Sequence, residues 1–284
     1  MFLVNPPKRK NDQQADIRPH HLTILSIVFL ISVSAIGSLW WNASRSQPTA
    51  FPESRLMFWQ GYEGITLDLQ TGDMALGSIE ADTASPWLKM SPDGKWFARW
   101  SRDEECCQWS LHIYEGVNGP NRGFITRFGG GDMVSWTPDS QWIAFSAYPE
   151  EFDFDPGDSS YEELYLANIY THEVKRLTYN SVMDSGPSIS PDGTQLAYTS
   201  ALNGRNHLYV MDLATGQSRL LTAEIQGYKP VWSPDGTWIA FVTKCGSRDP
   251  VNATHGSLWV VGADGTGAQK VRGRVNFLEP QWVS

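Results

Sequence analysis

Ser233-Pro-Asp-Gly-Thr-Trp-Ile-Ala-Phe241 decides the fold, because the chain carries it four times. The other copies are Ser91-Pro-Asp-Gly-Lys-Trp-Phe-Ala-Arg99, Thr137-Pro-Asp-Ser-Gln-Trp-Ile-Ala-Phe145 and Ser190-Pro-Asp-Gly-Thr-Gln-Leu-Ala-Tyr198. Successive copies start 46, 53 and 43 residues apart. Self-similarity at this period marks a repeat architecture, and about 40–50 residues is the length of one four-stranded propeller blade.

The first half of each copy is turn chemistry. Proline presets φ at the first central position of a type I turn, aspartate tolerates the second, and glycine supplies positive φ. Ser140 stands where the other copies have glycine, which predicts a less stable turn there. Asp93, Asp139, Asp192 and Asp235 read as turn residues rather than metal ligands. The second half is short, apolar and aromatic, as a buried strand should be. Ala98, Ala144, Ala197 and Ala240 form a column of small residues, expected where neighbouring blades approach closely.

Third strands are expected at Leu111–Tyr114, Leu164–Asn168, Leu208–Asp212 and Leu258–Val261, and fourth strands at Val174–Thr178 and Ser218–Thr222. Each blade then runs inner strand, tight turn, second strand, variable loop, third strand, turn, outer strand. The two ends of the repeat region complement each other. Glu279-Pro-Gln-Trp282 matches the inner strand Lys229-Pro-Val-Trp232, while Arg55–Trp59, Ile65–Leu69 and Met74–Glu80 supply three outer strands with no inner one. Joining them makes a composite blade and hides two sheet edges. The fold class is therefore all-β, a propeller of five four-stranded blades closed between its terminal strands.

The pattern Pro-x-Trp-Ser-Pro-Asp-Gly-x-x-Ile-Ala-Phe, followed by Leu-Tyr-Val-Met-Asp-Leu-x-Thr-Gly and Arg-Leu-Leu-Thr, resembles the TolB-type β-propeller repeat. It is clearest in Leu208–Thr222 and Pro230–Phe241, and the resemblance covers about residues 54–284. TolB-type domains usually have six blades, so a count of five departs from the pattern. The resemblance implies a propeller with a binding role in the periplasm and carries over no catalytic residue.

Leu22–Trp41 is an uncharged run of 20 residues, long enough to cross a hydrocarbon core of about 30 Å as a helix. Lys8, Arg9, Lys10 and Arg18 precede it, so the positive-inside bias places residues 1–21 in the cytoplasm and the propeller outside. A cleaved signal peptide is the competing reading. Its apolar core is usually about 7–15 residues, and Trp41-Asn-Ala43 offers no small-x-small cleavage site. Residues 42–53 read as a linker and 54–284 as the propeller of a single-pass membrane protein. The residues beyond 41 carry 18 basic and 29 acidic side chains, a net charge of −11, which argues against nucleic acid.

Variation concentrates in the connections between second and third strands, where a rigid scaffold tends to carry function. The longest, Ser146–Glu163, is also the most acidic, with Glu150, Glu151, Asp153, Asp155, Asp158, Glu162 and Glu163. Asp153, Asp155 and Asp158 are candidate Ca²⁺ ligands, oxygen donors at short spacing but without the closing acidic residue of a calcium loop. The default reading is a solvated acidic loop. Cys106, Cys107 and Cys245 fall on the same loop face, where one disulfide is conceivable. His207 and His255 share that face, as ordinary surface histidines or as part of a composite metal site. Nucleophile-elbow, phosphate-loop and HExxH patterns are absent from the sequence. Trp59, Trp87, Trp100 and Trp109 fit blade cores better than sugar platforms. The expected function is non-catalytic binding of a protein or peptide through the loop face that includes residues 146–163, with no cofactor unless Ca²⁺. The alternative is a carbohydrate-binding or carbohydrate-active propeller.

Overall fold

The computed structural model describes residues 55–60, 63–76, 88–102, 109–116, 119–126, 129–149, 162–244, 255–276 and 280–283. The chain begins its first blade with β1 (Arg55–Gln60), β2 (Glu63–Asp68) and β3 (Met74–Leu76). The second blade holds β4 (Leu88–Met90), β5 (Trp96–Arg102), β6 (Trp109–Glu115) and β7 (Asn121–Thr126). The third holds β8 (Gly129–Trp136), β9 (Trp142–Ala147), β10 (Glu163–Asn168) and β11 (Val174–Arg176). The fourth holds β12 (Asp184–Ile189), β13 (Gln195–Ser200), β14 (His207–Asp212) and β15 (Ser218–Leu220). The fifth holds β16 (Tyr228–Trp232), β17 (Trp238–Lys244), β18 (His255–Gly262) and β19 (Gln269–Asn276), and β20 (Gln281–Val283) then pairs with β1. Five antiparallel sheets of four strands result, in the order the sequence predicts. The closing register sets Leu56 opposite Trp282 and Met57 opposite Gln281.

The outer strands are shorter than expected, ending at Arg176 and Leu220 rather than Thr178 and Thr222. The threonines explain this. Thr178 Oγ1 accepts from the Leu164 amide at 2.9 Å, and Thr222 Oγ1 accepts from the Leu208 amide at 3.3 Å. A side chain thus takes over the next rung of the ladder.

The repeated turns are fixed by a short relay. The hydroxyl of Ser91 donates to Asp93 Oδ1 at 2.6 Å and accepts from the Trp96 amide at 2.9 Å, while Asp93 Oδ1 also accepts from the Lys95 amide at 3.1 Å. Thr137, Ser190 and Ser233 repeat this arrangement with Asp139, Asp192 and Asp235. The four aspartates are thereby spent on turn closure. Ser140 keeps the positive φ of its glycine counterparts, at 59° against 73–75° for Gly94 and Gly193. Its Oγ accepts from the Asp93 amide of the neighbouring blade at 3.0 Å. The strain anticipated from the sequence is offset by a contact that a glycine cannot make.

Four apolar clusters fill four of the five blade junctions. Ala98, Trp100, Ile113, Ile143 and Phe145 join the second and third blades, and Ala144, Leu164, Leu196, Tyr198 and Met211 the third and fourth. Ala197, Val210, Trp232, Ile239 and Phe241 join the fourth and fifth, and Ala240, Val260, Leu56 and Phe58 the fifth and first. Each alanine of the predicted column sits in one of these clusters with no exposed surface. Indole N–H groups add a repeated bolt between inner strands. Trp136 donates to the Lys89 carbonyl at 3.1 Å, Trp232 to Ser188 at 3.0 Å and Trp282 to Val231 at 3.0 Å. Among the described residues, the first and second blades share no such cluster.

Candidate functional site

The acidic connection of the third blade is held by buried ends. β9 reaches it through Ser146 and Ala147, and β10 leaves it at Glu163, all within 3% of complete burial. Glu162, which the sequence groups with the solvated acidic residues, is only 8% exposed and offers its backbone carbonyl to the Asp184 amide at 2.8 Å. Glu163 is fully buried. The expectation of a solvated acidic stretch is therefore wrong for its last two residues. They belong to a strand start enclosed by the next blade. Asp153, Asp155 and Asp158 lie outside the described residues, as do Cys106, Cys107, Cys245 and the Leu22–Trp41 segment.

Glu163 meets a residue the sequence reading missed. Asp184, also fully buried, opens β12 of the fourth blade. Asn180 connects the two carboxylates. Its amide N–H donates to Glu163 Oε1 at 2.8 Å, and its side-chain amide donates to Asp184 Oδ2 at 2.7 Å. Arg176 lies 3.3 Å from Glu163 Oε1. Burial pushes the Asp184 carboxyl above the ordinary aspartate value; the Ser200 and Asn180 side chains pull it back, and the Glu163 charge adds to the rise. A usable signal existed in the sequence. At the matching positions of the next blade stand His207 and Gly227, so the carboxylates break a column that is otherwise neutral.

On the opposite, tight-turn face lies an open cleft of about 590 Å³ between the fourth and fifth blades. Asp192, Asp235 and Asp264 border it, with Arg219 across from them and Trp232 among the lining residues. Arg219 donates to the Ala263 carbonyl, which ties the outer strand of one blade to the next. Asp192 is held below its ordinary value chiefly by the Ser190 hydroxyl, and Asp264 chiefly by the Thr266 amide. Burial pushes Asp235 up, but bonds from Ser233 and Thr237 outweigh it and leave the group lowered. These carboxylates are set to stay ionised. A smaller pocket of about 250 Å³ between the second and third blades is lined by Trp96, Ile113, Ile169, Tyr170, Arg122 and His172.

Among the described residues, no three His, Cys, Asp or Glu side chains gather as a metal-holding group. His207 Nδ1 lies 2.9 Å from the Thr222 carbonyl, at the start of β14. Trp100 is core, packed edge-on against Phe145 at 6.4 Å, whereas Trp109 is 38% exposed. Trp87 lies outside the described residues. No helix among the described residues is long and apolar enough to cross a membrane.

This architecture, with its turn relay and alanine column, defines a β-propeller of five four-stranded blades. Residues 157–259 match the TolB beta propeller domain. A protein TolB homolog of Chlorobaculum tepidum is 28% identical over 106 residues, which are 37% of this chain and 23% of that protein. The Tol-Pal system protein TolB of Anaeromyxobacter dehalogenans is 36% identical over 95 residues, 34% of this chain and 20% of that protein. The chain thus spans about a fifth of the length of the curated relatives it matches. The structure of a putative TolB from Agrobacterium tumefaciens superposes with a TM-score of 0.55 over 81% of this chain and 87% of that one. At 16% identity it shares the fold alone.

Proposed function

We propose that the chain is a non-catalytic protein- or peptide-binding propeller, tethered to a membrane by Leu22–Trp41 with its blades on the extracytoplasmic side. The observation that carries the binding reading is the anchorage of the acidic connection. Ser146, Ala147, Glu162 and Glu163 are all buried, so both ends of the variable, charged connection are fixed in the scaffold. Loops on rigid bases bind without first losing much of the order cost to the scaffold. The relative named as a Tol-Pal system protein supports a partner of protein nature. The tether rests on the uncharged run of 20 residues and the four basic residues before it.

The test is partner capture by crosslinking from intact membranes, comparing the full chain with two variants. In one, residues 150–161 are replaced by a Gly-Ser linker that spares Glu162 and Glu163. In the other, Arg219→Glu alters the cleft on the opposite face. A partner held by the wild type and by Arg219→Glu, and lost with the loop, is the expected result. Capture lost only with Arg219→Glu would move the binding surface to the turn face. No loop-dependent polypeptide, together with glycan binding by the full chain, would replace this reading with the carbohydrate one.

A further inference from the structure

Glu163 and Asp184 come from different blades and are both sealed from solvent. Asn180 and Arg176 satisfy Glu163 Oε1, and Asn180 satisfies Asp184 Oδ2. That leaves one oxygen on each carboxylate, Glu163 Oε2 and Asp184 Oδ1, buried without a hydrogen-bond partner. The charges do not balance either. Two carboxylates face one guanidinium, and an excess charge inside a protein is expensive unless paired or neutralised. One proton on the pair removes the excess charge.

We propose that the buried Glu163–Asp184 pair holds a single proton, on Asp184, making the junction of the third and fourth blades proton-sensitive. Asp184 carries the proton, so that the pair together with Arg176 is neutral. Two adjacent carboxylates sharing a proton titrate as a unit. When the proton leaves to solvent, like charges from two blades face each other and the junction loosens.

The surrounding titratable groups leave this balance unchanged. Tyr198 is pushed up to about 12, chiefly by burial, and stays neutral; Tyr209 stacks on it. Tyr179 lies under the Arg176 guanidinium, and Tyr165 is paired with Arg176 across β10 and β11. Glu162 contributes its backbone carbonyl to Asp184. Arg176 is the single cation in contact with the pair among the described residues. Because burial raises Asp184 above its unfolded value of 3.8, its contribution to stability is complete below that value and is lost as the pH rises through the folded one. Asp93 and Asp192, which are lowered, behave in the opposite sense.

The test is difference infrared spectroscopy of the full chain across a pH titration, joined to thermal melts at the same pH values. At about pH 6, where exposed carboxylates are ionised, the wild type should show a carboxylic-acid C=O band that disappears at higher pH. The band should be missing in Asp184→Asn. The wild-type folding constant should fall up to tenfold for each pH unit between 3.8 and the folded value of Asp184. Asp184→Asn should be flat over that interval, and Glu163→Gln should confine the fall to lower pH. No acid band in the wild type at about pH 6 would overturn the proposal, and that arm needs no variant to fold. Stabilisation of the wild type by added Na⁺ or Ca²⁺ without an acid band would assign the oxygens to a cation and overturn it equally.

Discussion

The junction between the third and fourth blades and the one between the first and second occupy equivalent places in the ring, and they are built from opposite materials. In the third, fourth and fifth blades, the wall facing the preceding blade carries a stacked aromatic pair. These pairs are Phe145 with Tyr165 at 5.7 Å, Tyr198 with Tyr209 at 5.7 Å and Phe241 with Trp259 at 6.3 Å. The second blade has Arg99 paired with His112 at that position. Arg99 is exposed, and the His112 imidazole is lowered chiefly by burial. The wall it faces changes as well. Where four blades pair an alanine with Ile113, Leu166, Val210 or Val260, the first blade pairs Met57 with Thr66. One junction is sealed by apolar side chains and hides two carboxylates. The other presents polar walls. Cohesion in this ring is therefore set blade by blade rather than by the repeat as such.

The largest expected effect tests that asymmetry directly. Phe241→Ala removes a fully buried ring and should cost about 3–5 kcal/mol in urea unfolding. Its register equivalent Arg99→Ala should stay within about 0.5 kcal/mol. Comparable losses at both sites would mean that the polar junction is as cohesive as the apolar ones. Next in size is the indole bolt. Trp232→Phe keeps most of the apolar volume but leaves the Ser188 carbonyl without its donor, for an expected cost of about 1–3 kcal/mol. A neutral outcome would show that apolar packing alone holds the fourth and fifth blades together. The smallest effect concerns Ser140. Ser140→Ala retains positive φ without the hydroxyl that serves Asp93, and should cost about 1 kcal/mol. Ser140→Gly relieves the backbone while losing the same bond, so it should be milder. If glycine proved the more damaging of the two, strain would not be the governing term at this turn.

What the sequence made legible follows from how local each cause is. The Ser-Pro-Asp-Gly turns were readable because their hydrogen bonds stay within five residues, as between Ser91, Asp93 and Trp96. The closing strand was readable because Trp282 repeats the context of Trp232. Glu163 was misjudged because its burial depends on Asp184 and Asn180, which belong to the approach to another blade. An acidic residue beside other acidic residues looks solvated until that neighbour is in place. The polar junction was written in Arg99, which ends its copy of the repeat where the others end in Phe145, Tyr198 and Phe241. Its meaning needed the ring geometry that turns a column in sequence into two facing walls.

The pairing of β1 with β20 also bears on when the molecule can become itself. During synthesis Leu56 emerges early, yet the strand that covers it includes Trp282 and follows all four of the other blades in the chain. Until then the first blade waits with an open inner edge, while the blades behind it can already pair within themselves. Contacts that span most of a chain form slowly, because loop closure must precede their reward. The rate at which β20 finds β1 then sets how long that edge stays open to pairing with another chain.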